Sequence, residues 1–231
     1  MFGMKFLSVK NFQEMLIKLT FWHFIAALFC FYLLNKEVQF FTDVFDGLII
    51  TLWKIKFPVL LVIFAIVWAG FFSHVLKLHD RISDVFGIRS RYDQKYILLP
   101  LANGILDRPS KELKLKIKSQ RHNAMSNMFY KFASSTDTEP LVGKHNIHQA
   151  LTTFSWYWLL LEITFTSFVT GITILIFNCQ FSFLAFGLSG FCLLLSFLII
   201  PELHKYTNSQ IQRIIENNEA SKSVRDYLNA L

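Results

Sequence analysis

The chain has 231 residues and a formal net charge of +7, and it is 53% hydrophobic, 16% aromatic and only 17% charged, against roughly 25% charged in a soluble domain. Its apolar residues gather into blocks of about 20, the length a hydrocarbon core demands of a helix, which excludes an ordinary soluble globule. Cys30, Cys179 and Cys192 are too few and too scattered for a disulfide framework, so no structural disulfide is expected.

The first block covers residues 19–34 and contains Phe21, Trp22, Ala26, Ala27 and Cys30. As a helix it is about 24 Å long, short but sufficient with its flanks, and Lys18 can snorkel at its inner end. Lys5, Lys10 and Lys18 ahead of an apolar run resemble a secretory signal. No small-x-small site follows Leu34, however, and Phe29 stands before Cys30 where a lipoprotein signal needs a small residue, so the block is expected to be retained.

The second block, 57–76, carries Pro58 in its first turn, where the missing N–H does no harm, and Trp53 precedes it at the expected interface. The third, 154–177, opens in the aromatic cluster Trp156, Tyr157 and Trp158, as a boundary belt would. The fourth, 181–200, is closed by Pro201. Only Asn178, Cys179 and Gln180 separate the last two blocks, so they must form an antiparallel hairpin.

Orientation follows from the basic residues, which concentrate in cytoplasmic loops. Residues 77–150 hold 13 of the 23 Lys and Arg against 7 acidic residues. The leader adds three lysines and the tail after Pro201 four basic residues, whereas the first outer loop offers Lys36, Glu37, Asp43 and Asp46 and the hairpin tip no charge. Both termini and 77–150 are therefore expected in the cytoplasm of a bacterial inner-membrane protein. Lys54 and Lys56 are discordant and are read as snorkelling from the outer end of the second span.

The 77–150 segment is marginal as an independent core. His79 to Phe86 can continue the second span as a helix, with Gly87 as a stop. Residues 88–103 are mixed, and Pro100 breaks any uninterrupted helix through them. Asp107, Arg108, Pro109 and Ser110 resemble a helix start, yet Leu113, Leu115 and Ile117 alternate with Lys114, Lys116 and Lys118 at a strand period, and both readings stand. Residues 134–140 read as a loop, and a helix into span three starts near Asn146. Ile211, Ile214, Ile215, Val224, Leu228 and Leu231 recur at helical spacing, which predicts one or two amphipathic helices in the tail. The expected fold is an all-α membrane protein in four parts. Residues 1–76 form a leader and two transmembrane helices, 77–150 a mainly helical cytoplasmic segment, 151–200 a transmembrane hairpin, and 201–231 a cytoplasmic helical tail.

Glu162 is the first candidate for function, because a carboxyl two turns inside a span is costly and faces a bundle interior, a cavity or a partner. Ser155, Thr166, Thr170 and Thr173 lie on or near the same helical face. The stripe reads either as a water-lined path, proton-coupled site or gate, or as a protonated acid whose hydrogen bonds hold helices together. Ser182, Ala185, Ser189, Cys192 and Ser196 line up small residues along the fourth span, with Gly187 and Gly190 beside them; Ala65, Ala69 and Ser73 do so on the second. Such seams suit close packing within a subunit or between subunits, and two of them favour a homo-oligomer.

His145 and His148 have a metal-like spacing but lack partner cysteines or carboxylates, and no metal or other cofactor is expected. His74 and His79 read as boundary residues and His23 as a core histidine. No phosphate loop, nucleophile elbow or His-Glu-x-x-His motif appears, so no enzyme is expected. The basic patch of Arg81, Arg89, Arg91, Lys111, Lys114, Lys116, Lys118 and Arg121 reads first as attraction to anionic membrane lipid. An acidic protein, a nucleic acid or a nucleotide is the rival occupant, the last two not favoured.

This layout, with two spans, a basic segment carrying Arg89, Ser90, Arg91 and Tyr92, a tight hairpin of spans and a short helical tail, resembles small membrane components of bacterial anti-phage defence systems. Examples are the membrane subunit of Kiwa and multi-span effectors linked to retrons or cyclic-nucleotide signalling. The resemblance is one of architecture, and it implies an oligomer that senses or perturbs the inner membrane with a soluble cytoplasmic partner. The rival is a small channel or proton-coupled transporter built around Glu162. A metal- or nucleotide-dependent membrane enzyme using His145, His148 and the arginines stands last.

Overall fold

A computed structural model describes residues 8–52, 55–134 and 140–231. Lys5, Trp53, Lys54, the side chain of Lys56 and the centre of the 134–140 loop lie outside the described residues. Helices dominate. The first, α1 (Phe12–Glu37), extends the first block by about two turns at its start. A short helix α2 (Gln39–Phe45) leads into an antiparallel hairpin of β1 (Ile49–Leu52) and β2 (Ile55–Pro58), in the register Ile49 to Pro58, Thr51 to Lys56. Apart from this short hairpin the regular elements among the described residues are helices, as the all-α expectation has it. Ile49, Ile50, Thr51, Ile55 and Phe57 are residue types that favour strands, which explains why so short a connection adopts that form.

Pro58 caps α3 (Val59–Ala69), which passes into a π-helical stretch at Gly70–Val75. Lys77 then takes a left-handed conformation (φ 47°), and α4 (Leu78–Val85) leaves at 55° to the preceding helix. The second apolar block therefore continues as a helix only after a sharp bend. Gly87 (φ 61°) stops α4 as its sequence predicts, because glycine alone takes that conformation without cost.

The next helices are short: α5 (Ile88–Tyr92), a π-helical turn at Asp93–Leu98, α6 (Leu99–Leu106), α7 (Lys111–Ser119), α8 (Arg121–Met125) and a second π-helical turn at Ser126–Tyr130. The alternating stretch around Leu113 resolves as helix. Ser110 caps it, its hydroxyl accepting from the Leu113 amide at 3.1 Å, and only Ile117 of the three alternating residues is buried. A cap and good helix formers outweigh the period-two pattern.

Two long helices follow, α9 (Lys144–Asn178) and α10 (Phe183–Glu216), then α11 (Asn218–Ala230). The expectation that Pro201 ends the fourth helix is corrected, since α10 runs through it. Proline deletes one intrahelical donor and crowds one carbonyl, a local loss that a 34-residue helix absorbs.

Helices α1, α9 and α10 are long and apolar enough to cross a membrane, and the bent pair Val59–Val75 with Leu78–Val85 makes a fourth if it counts as one span. The chain divides into two compact units. An apolar unit comprises Leu16–Arg81 and Ser155–Ile199; a basic unit comprises Met1–Met15, Ile82–Phe154 and Ile200–Leu231. Helices α9 and α10 contribute to both.

The basic unit has its own core, centred on Leu98, Leu101, Ile117, Met128, Ile214 and Val224. The tail residues Ile211, Ile214, Val224 and Leu228 are all buried in it, as their spacing predicts. The apolar unit is packed around Ala27, Leu33, Phe45, Leu61, Ala65 and Ile174. There α9 and α10 approach closely at Gly171, where a methyl group would come within 2.9 Å of the Phe186 ring.

Candidate functional site in the apolar unit

Four elements converge on Glu162. From α9, its side chain is fully buried. His79 of α4 places Nδ1 2.9 Å from Oε1. Ser73, in the π-helical stretch, donates its hydroxyl to Oε2 at 2.6 Å. His23 of α1 sits with Nδ1 2.7 Å from Ser73 Oγ and 3.2 Å from Oε2. His23, Ser73 and His79 are likewise fully buried.

Local structure places each group. The π-helical stretch inserts extra backbone into the second apolar block, and such insertions re-aim side chains. Here Ser73 is buried while its neighbour His74 is exposed. The bend at Lys77 lets α4 turn so that His79 faces inward, its ring stacked on Trp158 with centroids 4.8 Å apart. His79 Nε2 has no hydrogen-bond partner and lies 3.9 Å from Asp80 Oδ2.

A second layer continues from His23. Its Nε2 lies 2.7 Å from Thr166 Oγ1, which also accepts from the Trp68 indole N–H at 3.1 Å. The predicted polar stripe is thus divided. Ser155, Glu162, Thr166 and Thr170 are buried and Thr173 half-buried. Thr170 and Thr173 each donate to the carbonyl four residues earlier in their own helix, at 2.9 Å, whereas Thr166 joins the Glu162 network through His23.

Two histidines that the sequence places at a boundary and in a core, and a serine from a small-residue row, therefore complete the site. The available signal was energetic. A carboxyl in a span demands partners, and the neighbouring apolar blocks offered few ionisable groups besides His23 and His74.

The seam on α10 faces inward. Ser182, Ala185, Ser189, Cys192 and Ser196 are all buried, and Ser189 donates to the Thr164 carbonyl of α9 at 3.1 Å. It packs within the chain, as do Ala65, Ala69 and Ser73. Nothing lies within 4 Å of a methyl group built at Gly187 or Gly190. The outer face of α10 presents Phe183, Phe191, Leu194 and Phe197.

These are the features of a membrane bundle with a polar centre. The chain belongs to the YmfE protein family. That family's profile matches residues 11–230, which takes in the Glu162 centre and nearly all of the basic unit. Comparison with curated proteins gave no match, and comparison with solved structures gave none either.

The residues of the predicted basic patch have different surroundings. Arg81 belongs to the apolar unit, where its Nε donates to the Leu76 carbonyl at 3.1 Å. Arg121 pairs with the buried Asp93 at 2.7 Å. Burial pushes the Asp93 carboxyl up, and Arg121 and Arg89 pull it back only in part. Lys116 donates to the Leu231 carbonyl at 2.7 Å. Lys111, Lys114 and Lys118 do come together, rimming a groove of about 490 Å³ floored by Leu99, Leu115 and Ile117. Arg89 is half-buried and Arg91 exposed. Among the described residues no group of three or more His, Cys, Asp and Glu has a metal-binding arrangement. His145 is exposed and His148 half-buried.

Proposed function

We propose that this YmfE-family chain is a non-enzymatic, oligomeric inner-membrane sensor or effector whose switch is proton occupancy at Glu162. In this reading the bent pair counts as a span, giving four, and both termini and the 77–150 segment are cytoplasmic. The support for that topology is the bias of basic residues. The observation that carries the function is one fully buried carboxylate hydrogen-bonded to His79 Nδ1 and Ser73 Oγ, with His23 Nδ1 3.2 Å away. Histidine is the side chain whose ordinary titration lies nearest physiological pH. Unlike a permanent cation, an imidazole beside a carboxylate can itself take up or pass on the proton that the carboxylate exchanges.

The output is proposed to pass to a soluble cytoplasmic protein, with membrane lipid as the surrounding partner and no cofactor. The architectural resemblance to anti-phage membrane components supports a defence role through membrane perturbation. Nucleic acid and nucleotide remain disfavoured for the lysine-rimmed groove, whose floor is apolar.

The test is proton uptake by the purified protein in nanodiscs, followed with a pH indicator during acid titration, with co-purifying chains identified by mass spectrometry. Uptake that Glu162→Gln reduces, in an oligomer carrying a soluble protein, is expected. Equal uptake by the two proteins ends the proton reading, and a lone monomer ends the partner reading.

A small channel or proton-coupled transporter is the second reading, favoured by burial of Ser155, Glu162, Thr166 and Thr170 along one helix. Liposome flux unchanged by Glu162→Gln would remove it.

A further inference from the structure

The directions of the hydrogen bonds around Glu162 follow from donor capacity. An indole N–H only donates, so Trp68 donates to Thr166 Oγ1. A hydroxyl can accept twice, so the direction at His23 is set from the carboxylate end. Ser73 must donate to the ionised Glu162 at Oε2. A neutral His23 therefore donates from Nδ1 to Ser73 Oγ, and its bare Nε2 accepts the Thr166 proton. Every group from Trp68 to the carboxylate is satisfied with Glu162 ionised and His23 neutral. On the other oxygen, His79 Nδ1 donates to Oε1. This leaves His79 Nε2 as a buried lone pair without a partner.

We infer that His79 Nε2 is where protons reach the Glu162 centre, that they arrive from the Asp80 side, and that Trp68 closes the far end. The centre then stores a proton and does not pass it across the membrane. This rests on the reading of Glu162 as a proton switch and decides between its sensor and conduit forms. A proton added at Nε2 gives an imidazolium paired with the carboxylate. Transfer of the Nδ1 proton to Oε1 then yields a neutral Glu162 acid and a neutral His79 protonated on Nε2. One proton is gained and both groups end uncharged.

Asp80 fits the part of a proton donor, because its side chain is 25% exposed while His79 beside it is fully buried. At the other end the relay stops. The indole N–H carries no acceptor to take a proton from Thr166, and the next hydroxyls along α9, Ser167 and Thr170, each donate to the carbonyl four residues earlier in their own helix.

The remaining charged groups do not offer another path. His23 is the ionisable group α1 turns to this site, and α3 contributes Trp68 without any charge. His74 and Lys77 are exposed, and Arg81 is held on the Leu76 carbonyl. From Phe183 to Ile199, α10 carries no Asp, Glu, Lys, Arg or His.

The test uses the full chain in vesicles of phosphatidylethanolamine and phosphatidylglycerol, sorted by whether protease added outside cuts the 77–150 segment. An acid jump is applied outside, and the infrared carbonyl band of a protonated carboxylic acid is followed, assigned to Glu162 by its loss in Glu162→Gln. Quenching of Trp158 emission, which the Trp158→Phe protein lacks, reports an imidazolium at His79. The expected result is prompt rise of the band and prompt quenching only when the 77–150 face is acidified. His79→Asn, which keeps a donor toward Oε1 but has no basic nitrogen, is expected to lose the prompt rise. Asp80→Asn, at a partly exposed side chain, is expected to slow it, and it carries the test if His79→Asn misfolds. An equally fast rise from either face, or unchanged kinetics in Asp80→Asn and in folded His79→Asn, overturns the inference. No Glu162 band at any pH would instead overturn the proton reading beneath it.

Discussion

Among the described residues two carboxylates are buried, and the fold treats them differently. Asp93, in the basic unit, faces Arg121 at 2.7 Å with side-chain exposures of 9% and 14%, at a guanidinium that never gives up its proton. Glu162, in the apolar unit, is wholly buried among hydroxyls and two imidazoles, each of which can hold or release one. The first arrangement fixes a charge pair. The second leaves charge as a variable. Both aspartate and serine lie in π-helical stretches, a form enriched where side chains must be re-aimed, so the backbone device is shared and the partner chemistry makes the difference.

That contrast predicts a graded set of losses. Glu162→Ala has the largest expected effect, about 3–5 kcal/mol of unfolding free energy, because it strands the Ser73 and His79 donors in a dry site; denaturant unfolding in mixed micelles measures it. Arg121→Met is expected to cost less, about 2–3 kcal/mol, since its pair is partly solvated. The double variant Asp93→Leu with Arg121→Met should recover most of that loss. If it does not, the pair does more than neutralise itself. Ser73→Ala is expected to cost about 1 kcal/mol, because His23 Nδ1 still has Glu162 Oε2 at 3.2 Å. A loss as large as that of Glu162→Ala would make serine the true anchor of the centre.

The smallest effect is on pH dependence. The folded basic unit holds the Asp93 proton more tightly than the unfolded chain does, because burial pushes that carboxyl up. In the window between its unfolded and folded values the native state binds more protons, so this contribution to stability falls as pH rises through the window and is unchanged above it. Melting temperature against pH should show that fall, and Asp93→Asn should flatten it.

Much of this was legible in the sequence. Block length at 1.5 Å per residue sets which stretches become long apolar helices, and the residues Cys179–Ser182 leave no room for anything but a turn between α9 and α10. Glu162 stood out because an isolated carboxyl in an apolar block needs partners. Ser110 and Gly87 marked a helix start and a stop through chemistry that acts on their own backbone. Tertiary structure alone decided who those partners are. His23, Ser73, His79 and Glu162 are separated by up to 139 positions, and only helix packing brings them within 3.2 Å. Whether His79 rather than His74 faces inward depends on the π-helical stretch and the bend at Lys77, and no local preference announces either. The hydrophobic pattern is a one-dimensional signal that assigns helices. The direction of each polar side chain is a three-dimensional balance of burial against hydrogen bonding, settled only when all four segments are in place.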